Sequence, residues 1–185
     1  MADVIKLTTP LDDRQVEALH AGDSVLITGI IYSARDSAHK KLVDLLEQGQ
    51  PLPLDLTGHL IYYVGPSPAR PGKPIGSAGP TTSYRMNPYA PKLLAHGSRG
   101  MIGKGEMNAV VAEALKKYKG VYLVAVGGAA ALIARSIKKN TVIAYPELGA
   151  EAIAELTVED FPAIVAQDCH GGNLYQEGVK KFVRS

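Results

Sequence analysis

The chain has 185 residues, a length that suits one domain burying about 70% of its unfolded surface in a single core. Hydrophobic residues make up 46% of the chain and charged residues 21%, which excludes a disordered or low-complexity protein. Twenty Lys and Arg against 18 Asp and Glu leave a net charge of +2, too small to indicate a nucleic-acid or membrane partner. The sequence therefore predicts one globular domain over residues 1–185.

The number of cysteines limits which metal sites the chain can form, and the N-terminal segment bears on its location in the cell. Cys169 is the only cysteine, so the chain cannot form an internal disulfide or supply several thiolates to a metal cluster. The Cys169-His170 pair has no second cluster of ligands, and a structural role is the better interpretation. Segment 1–13 has no signal-peptide core, and no run approaches the roughly 18 apolar residues of a membrane span. We therefore expect a cytoplasmic protein with no metal ligands of its own.

Strand-like runs alternate with helical patterns along the chain, which is typical of an α/β fold. The first part predicts a strand at 24–31, a helix ending near Gly49 and a second strand at 59–64. Four prolines between residues 66 and 74 then exclude regular structure from that loop. The remaining predicted elements are a helix at 88–96 capped by Asn87, a helix from Met107 to near Gly120, a strand at 121–126 buried on both faces, a helix at 129–138, and short strands at 141–144 and 163–166.

Three segments beside these elements combine cations or hydroxyls with accessible backbone amides, which makes them candidate sites. In the first segment, 32–39, Arg35 lies at a junction between strand and helix. A guanidinium there can hold a carboxylate with two parallel hydrogen bonds. The alternative is that Arg35 pairs with Asp36 or another surface acid. His39 lies in the same segment, although a lone histidine is usually packed or solvated.

The second segment, 76–86, combines small residues with hydroxyls and a cation. Thr81 and Thr82 are followed by Ser83, and Arg85 comes two residues later. Small residues let a ligand approach the backbone, and hydroxyls can donate to, accept from or exchange a proton with it. An ordinary turn with a helix cap is the alternative.

The third segment, 103–106, places Lys104 between two glycines at the start of the helix from Met107. Its amides and ammonium group are accessible to an anion. The segment does not match the phosphate-loop pattern G-x-x-x-x-G-K-[ST], because Ser98 stands where the first glycine belongs and Gly105 follows the lysine. Nucleotide binding is therefore not favoured.

Taken in order, five stretches resemble the β subunit or C-terminal domain of class I fumarases and of L-tartrate dehydratase. They are GIIYSARDSAHKKL, GPTTSYRM, MIGKGEM, YLVAVGGAAALIA and YPELGAEAI. The resemblance covers nearly the whole chain and implies a three-layer, swivelling β/β/α domain. It implies that this domain closes over a four-iron four-sulfur cluster, which three cysteines of a separate α subunit hold. The expected assembly is a heterodimer or heterotetramer that hydrates a small dicarboxylate, with no nucleic acid or membrane partner.

The resemblance also implies roles for individual residues. Arg35, Arg85 and Lys104 match the family's cations and are expected to bind the dicarboxylate. Thr81 matches the threonine proposed as the catalytic base for the C3 proton, and Thr82 its substrate-contacting neighbour. A threonine hydroxyl needs nearby cations and a desolvated site to act as a base.

Asp36 and His39 match positions expected to orient the loop. The sequence departs from the family pattern at Tyr84, where glycine is common, and at Asn87, where aspartate is common. Both departures affect the expected substrate more than the expected reaction. Fumarate and malate are the expected substrates, and tartrate dehydration is the alternative. A non-catalytic anion-binding module of the same fold is a further alternative. The presence of the complete set Arg35, Thr81, Arg85 and Lys104 favours an enzyme over such a module.

Overall fold

The computed structural model describes residues 4–126 and 128–182. The strands are β1 Ile5–Thr8, β2 Ser24–Ser33, β3 Leu60–Tyr62, β4 Gly100–Gly103, β5 Val121–Val124, β6 Ile137–Ala144 and β7 Ile153–Gln167. The α-helices are α1 Asp13–Glu17, α2 Asp36–Glu47, α3 Ala90–Ala95, α4 Ala109–Tyr118, α5 Ala130–Ser136 and α6 Leu174–Phe182. Two 3₁₀ helices, Ser83–Met86 and Pro146–Glu151, lie between them. No helix in the described ranges is both long and apolar enough to cross a membrane.

The sheet closes on itself. Strands β2, β3, β4 and β5 are parallel neighbours, and β7 runs antiparallel to both β2 and β5. These pairings make a small, barrel-like ring of five strands, from which β1 extends beside β2 and β6 beside β7. The predicted mixed α/β class is therefore confirmed. The three-layer β/β/α arrangement and its swivelling motion stay predictions.

Two hydrophobic clusters lie on opposite faces of the ring strands. In β3, Leu60 and Tyr62 belong to one cluster and Ile61 to the other, as the period of two of a strand requires. All five ring strands contribute to the first cluster. The second cluster packs the outer face of the ring against buried residues of α2, α3 and α4, such as Leu42, Leu93 and Leu115. As predicted, β5 is buried on both faces.

The last two predicted strands are wrong in length. The runs 141–144 and 163–166 belong to β6, with eight residues, and to β7, with 15. Most of β6 is exposed, so its outward-facing polar residues hide the strand pattern in the sequence. Helix α6 is not among the predicted elements. None of its residues is fully buried, although Tyr175 packs against the second hydrophobic cluster.

The predicted cap of α3 is also wrong. Helix α3 begins at Ala90, after Tyr89, which makes no side-chain cap. Asn87 instead ends the 3₁₀ helix Ser83–Met86, and its Oδ1 accepts a hydrogen bond from the N–H of Asn108 at 3.2 Å. An asparagine followed by proline suits a cap in sequence, but here its side chain is used to join two loops.

Candidate functional site

The three candidate segments follow the carboxyl ends of three neighbouring strands. Arg35 follows the end of β2 and Lys104 the end of β4. Between them, the carbonyl of Tyr63, just after β3, accepts a hydrogen bond from the N–H of Thr81 at 2.8 Å. Because β2, β3 and β4 are parallel, their carboxyl ends meet at one edge, and in α/β folds, with open sheets or closed barrels, ligands commonly bind at this edge.

Arg85 links the second segment to the first. Its Nη2 donates to Thr81 Oγ1 at 2.8 Å, and its Nε lies 3.4 Å from Asp36 Oδ1. Since Thr81 accepts from a guanidinium, its own hydroxyl proton is free to point toward another group. The positive charge also favours the alkoxide form of the hydroxyl.

Arg35 is paired with an acid, although not with Asp36. Its Nη2 lies 3.8 Å from Glu151 Oε1, and Glu151 Oε2 accepts a hydrogen bond from the N–H of Ser37 at 3.1 Å. Burial raises the pKa of Glu151, but the hydrogen bonds from Ser37 and the charges of Arg35 and Arg85 together hold it below its ordinary value. Sequence reasoning missed Glu151 as a site residue, although it lies in the stretch YPELGAEAI.

The two guanidinium groups retain donors without an acceptor. Within the described residues, Nε of Arg35 and Nε of Arg85 are buried and make no hydrogen bond. The contact of Arg85 with Asp36 is within ion-pair distance but is not aligned as a hydrogen bond. A buried donor without an acceptor costs about 1–3 kcal/mol. Such donors are expected where an anionic ligand completes the site.

Lys104 is joined to the second segment through its main chain. Thr82 and Lys104 form a parallel β-bridge. The side chain of Lys104 is exposed, and no salt bridge joins it to an acid in the part of the chain that the structure describes. Ser83 is fully buried, so its hydroxyl, unlike those of Thr81 and Thr82, is not available to a ligand.

His39 is packed beneath the site. Its ring is fully buried and meets the ring of Tyr63 edge-on at 5.1 Å between centroids. Its Nδ1 lies 2.8 Å from the carbonyl of Arg35, so it carries the proton and donates, and Nε2 has no partner among the described residues. Burial lowers the pKa of His39 to about 4. The neutral imidazole supports the backbone of Arg35 from below and is not open to a ligand.

Arg35, Thr81 and Arg85 are partly exposed, and Lys104 is exposed. Two clefts, of about 560 and 680 Å³, are lined by none of these four residues. Tyr84, which is 62% exposed, lines the smaller cleft with Asn87.

No metal centre is evident elsewhere in the described residues. Cys169 Sγ lies 3.6 Å from His170 Nε2, and burial raises the pKa of the Cys169 thiol. Residues 4–126 and 128–182 contain no group of three His, Cys, Asp or Glu side chains arranged to hold a metal ion. That the chain ligates no metal stays a prediction.

The fold and the site define an α/β domain with cations and threonine hydroxyls at the carboxyl ends of its parallel strands. The family model described as the fumarase C-terminus matches residues 1–178, and the chain belongs to this family. It is similar to the anaerobic class I fumarate hydratase of Escherichia coli K12, with 45% identity over 181 residues, 96% of this chain and 33% of that protein. Fumarate hydratase 2 of Leishmania major is 38% identical over 94% of this chain and 31% of that protein.

The chain thus spans about a third of the length of these fumarate hydratases. A third relative has nearly the same length as this chain. The putative L(+)-tartrate dehydratase subunit beta of Methanocaldococcus jannaschii is 40% identical over 177 residues, 92% of this chain and 91% of that protein. The predicted family is confirmed.

Proposed function

We propose that this chain is the β subunit of an iron–sulfur hydro-lyase that interconverts fumarate and L-malate together with an α subunit. The observation that carries the proposal is the meeting of Arg35, Thr81, Arg85 and Lys104 at one sheet edge. Three cations face two carboxylates there, so the edge has excess positive charge for a dicarboxylate. Similarity to class I fumarate hydratases supports the reaction.

In this proposal the substrate carboxylates bind to Arg35, Arg85 and Lys104, with Thr82 as a further contact. The substrate competes with Glu151 and Asp36 for the two guanidinium groups. At 3.8 and 3.4 Å these ion pairs are long, and both acids are partly exposed, so they cost little to exchange. Asp36 and Glu151 then keep the guanidinium groups oriented between turnovers.

Thr81 handles the proton at C3 of the substrate. In dehydration the Thr81 alkoxide takes the C3 proton while the C2 hydroxyl leaves as hydroxide, and the hydroxide then takes this proton to form water, which regenerates the alkoxide. Hydration follows the same steps in reverse, and the proton returns to C3. The hydrogen bond from Arg85 Nη2 stabilises the alkoxide that dehydration requires. Exclusion of water by a partner strengthens this effect, because Thr81 and Arg85 are partly exposed in the chain alone.

The cluster belongs to the partner in this proposal. One cysteine, Cys169, cannot supply the three thiolates expected for it, and no site residue is a thiol. When bound, a four-iron four-sulfur cluster supplies a Lewis acid for the substrate hydroxyl. This chain supplies the opposite wall, with its cations and Thr81. A cytoplasmic heterodimer or heterotetramer is the corresponding assembly.

A second candidate is L-tartrate dehydration. It is favoured by the alignment with the archaeal subunit beta, which covers nine tenths of both chains and supports an arrangement of two subunits. Tartrate carries a second hydroxyl, and Tyr84 is the residue near the site whose size we expect to affect its acceptance. A non-catalytic anion-binding module is the third candidate, and measurement of turnover separates it from both enzymes.

The decisive experiment compares Thr81→Val with wild type in the complex with the α subunit, after anaerobic reconstitution of the cluster. Loss of a general acid–base group lowers kcat by about 10²–10⁴-fold and leaves KM much less affected. Thr141→Val, on the exposed strand β6, is the matched control and keeps full turnover. Turnover by Thr81→Val close to wild type, with an intact cluster, would refute the role of Thr81 as base.

The same preparation tests the need for two subunits. The chain alone is expected to be colourless and inactive on fumarate, malate and L-tartrate. Turnover of fumarate and malate by the reconstituted complex identifies the first candidate, and turnover of L-tartrate identifies the second. Malate formation by the lone chain at the rate of the complex would contradict the proposed assembly.

A further inference from the structure

Ser83 lies at the centre of a buried chain of hydrogen bonds beneath the site. Its side chain is fully buried. Its N–H donates to the carbonyl of Lys104 at 2.9 Å, and its Oγ accepts from the N–H of Lys104 at 2.9 Å. One residue therefore holds both main-chain polar groups of Lys104.

The phenol of Tyr122 in β5 continues the chain. Its oxygen lies 2.9 Å from Ser83 Oγ and 2.6 Å from the carbonyl oxygen of Gly105. A carbonyl can only accept, so the single phenolic proton lies between Tyr122 and Gly105, and the Ser83 hydroxyl donates to Tyr122. Burial raises the pKa of Tyr122 well above its ordinary value, so the phenol stays protonated at neutral pH. Each hydroxyl both donates and accepts, and such chains polarise one another cooperatively.

The same contact depends on a glycine in β4. A Cβ atom at Gly103 would lie 1.9 Å from Ser83 Oγ. The absence of a side chain at this position lets the 3₁₀ helix that begins at Ser83 approach the end of β4. The main chain of Lys104, the next residue, is then held in place, while the side chain of Lys104 remains exposed.

We propose that Ser83 and Tyr122 are positioning residues that set where Lys104 stands relative to Thr81 and Thr82. The proposal rests on the proposed function, because the position of Lys104 matters only if it binds a substrate carboxylate. The Lys104 side chain makes no ion pair in the described residues, so its location depends on its main chain. If the buried chain of hydrogen bonds only stabilised the fold, its loss would lower stability and leave ligand affinity unchanged.

The test uses Ser83→Ala and Tyr122→Phe in the complex with the α subunit, each of which removes one hydroxyl. We expect the Kd for succinate, as a dicarboxylate probe, and KM to rise about five- to tenfold, with a smaller change in kcat. Amide hydrogen exchange at Lys104 is expected to accelerate in Ser83→Ala. Ser98→Ala is the matched control, because Ser98 is also buried and lies near the opposite end of β4. Its hydroxyl is within hydrogen-bond distance of the carbonyl oxygens of His59 and Gly100. This control is expected to lose stability and keep its Kd.

A double-mutant cycle shows whether the two residues act through Lys104. In a Lys104→Ala background, Ser83→Ala is expected to leave the Kd for succinate unchanged. An unchanged Kd in the single variant Ser83→Ala, or effects of the two changes that simply add, would overturn the positioning role. If Lys104→Ala itself leaves the Kd unchanged, the proposed contact of Lys104 with substrate fails first. Tyr122→Phe keeps the contacts between Ser83 and Lys104, so it provides the test if Ser83→Ala does not fold.

Discussion

Acidification is expected to destabilise this protein through His39, in a range where carboxylates contribute little. Burial lowers the pKa of His39 to about 4, below the value of 6.5 for an unfolded chain. The unfolded state therefore binds a proton first as the pH falls, and stability declines from pH 6.5 toward pH 4. Between pH 7 and pH 5 the loss amounts to about 2 kcal/mol. For a chain of this size the melting temperature falls by about 4–8 °C.

The carboxylates with lowered pKa values do not interfere in this range. The pKa values of Asp13, Asp55, Glu151 and Asp168 lie below ordinary values of 3.8 to 4.5, so these groups stay largely ionised in both states above pH 5. Their contribution to the free energy of unfolding is fully present above the pKa of the unfolded state, and it is lost as the pH falls through the lower pKa of the folded state. The ring of Tyr63 faces that of His39, and burial raises the pKa of this phenol, so it does not titrate near pH 6.

Thermal melts at pH 7, 6 and 5 test this prediction in wild type, His39→Gln and His96→Gln. His96 is the matched control, since its Nδ1 also contacts the carbonyl four residues earlier, at 2.7 Å, but its ring is exposed. His39→Gln is expected to lose most of the pH dependence, and His96→Gln to retain it. A direct NMR titration of the His39 ring measures its pKa even if the glutamine variant folds poorly. A value near 6.5 would show that burial does not act as described.

Three further predictions follow from packing and hydrogen bonding. Gly103→Ala is expected to destabilise the fold by about 1–3 kcal/mol, because its Cβ would lie 1.9 Å from Ser83 Oγ. Gly178→Ala is expected to stabilise the fold by up to about 1 kcal/mol, because the space around this position in α6 is open. Denaturant melts of both variants measure these changes in the free energy of unfolding. Asp168→Ala is expected to cost on the order of 3 kcal/mol, measured in the same way, since a carboxylate is lost that accepts from three backbone N–H groups. A cost under about 1 kcal/mol would contradict this account. Tyr84→Gly is expected to leave the melting temperature nearly unchanged, because the ring is 62% exposed, and to change the ratio of kcat/KM for tartrate and fumarate. An unchanged ratio would remove Tyr84 from the specificity argument.

The sequence was most informative for strand β5, which is buried on both faces, because the continuous apolar run at 121–126 has few alternatives. The β-branched run at 24–31 also predicts β2, although only part of that strand is fully buried. Strand β7 was mostly missed, since its exposed Glu159 and Asp160 and its Pro162 interrupt the pattern. Glu159 and Asp160 lie at an irregularity, where the pairing of β2 with β7 shifts register between Ile27 and Gly29, whereas Pro162 lies opposite Leu26 within the ladder.

The site could be placed in outline from the sequence. Arg35 and Lys104 follow predicted strands, and parallel strands bring such residues to one edge. The pairing of Arg35 with Glu151 could not be predicted, because it depends on where the 3₁₀ helix Pro146–Glu151 packs against α2. Nor could the burial of Ser83 be predicted beside the accessible Thr81 and Thr82, since three adjacent hydroxyls look alike in sequence.

Strand β7 imposes an order on how this protein can fold. The ring closes only when Ser24–Ser33 pairs with a partner more than 120 positions later, as in the contact of Ser33 Oγ with the N–H of Ala154, which are 121 residues apart. Such distant pairing makes folding slow, because the entropy of a long loop is lost before the contact forms. During synthesis on the ribosome, one edge of β2 therefore waits unpaired until residues 153–167 have emerged. An unpaired strand edge can pair with other chains, so chaperones are expected to matter most for this protein before β7 is made.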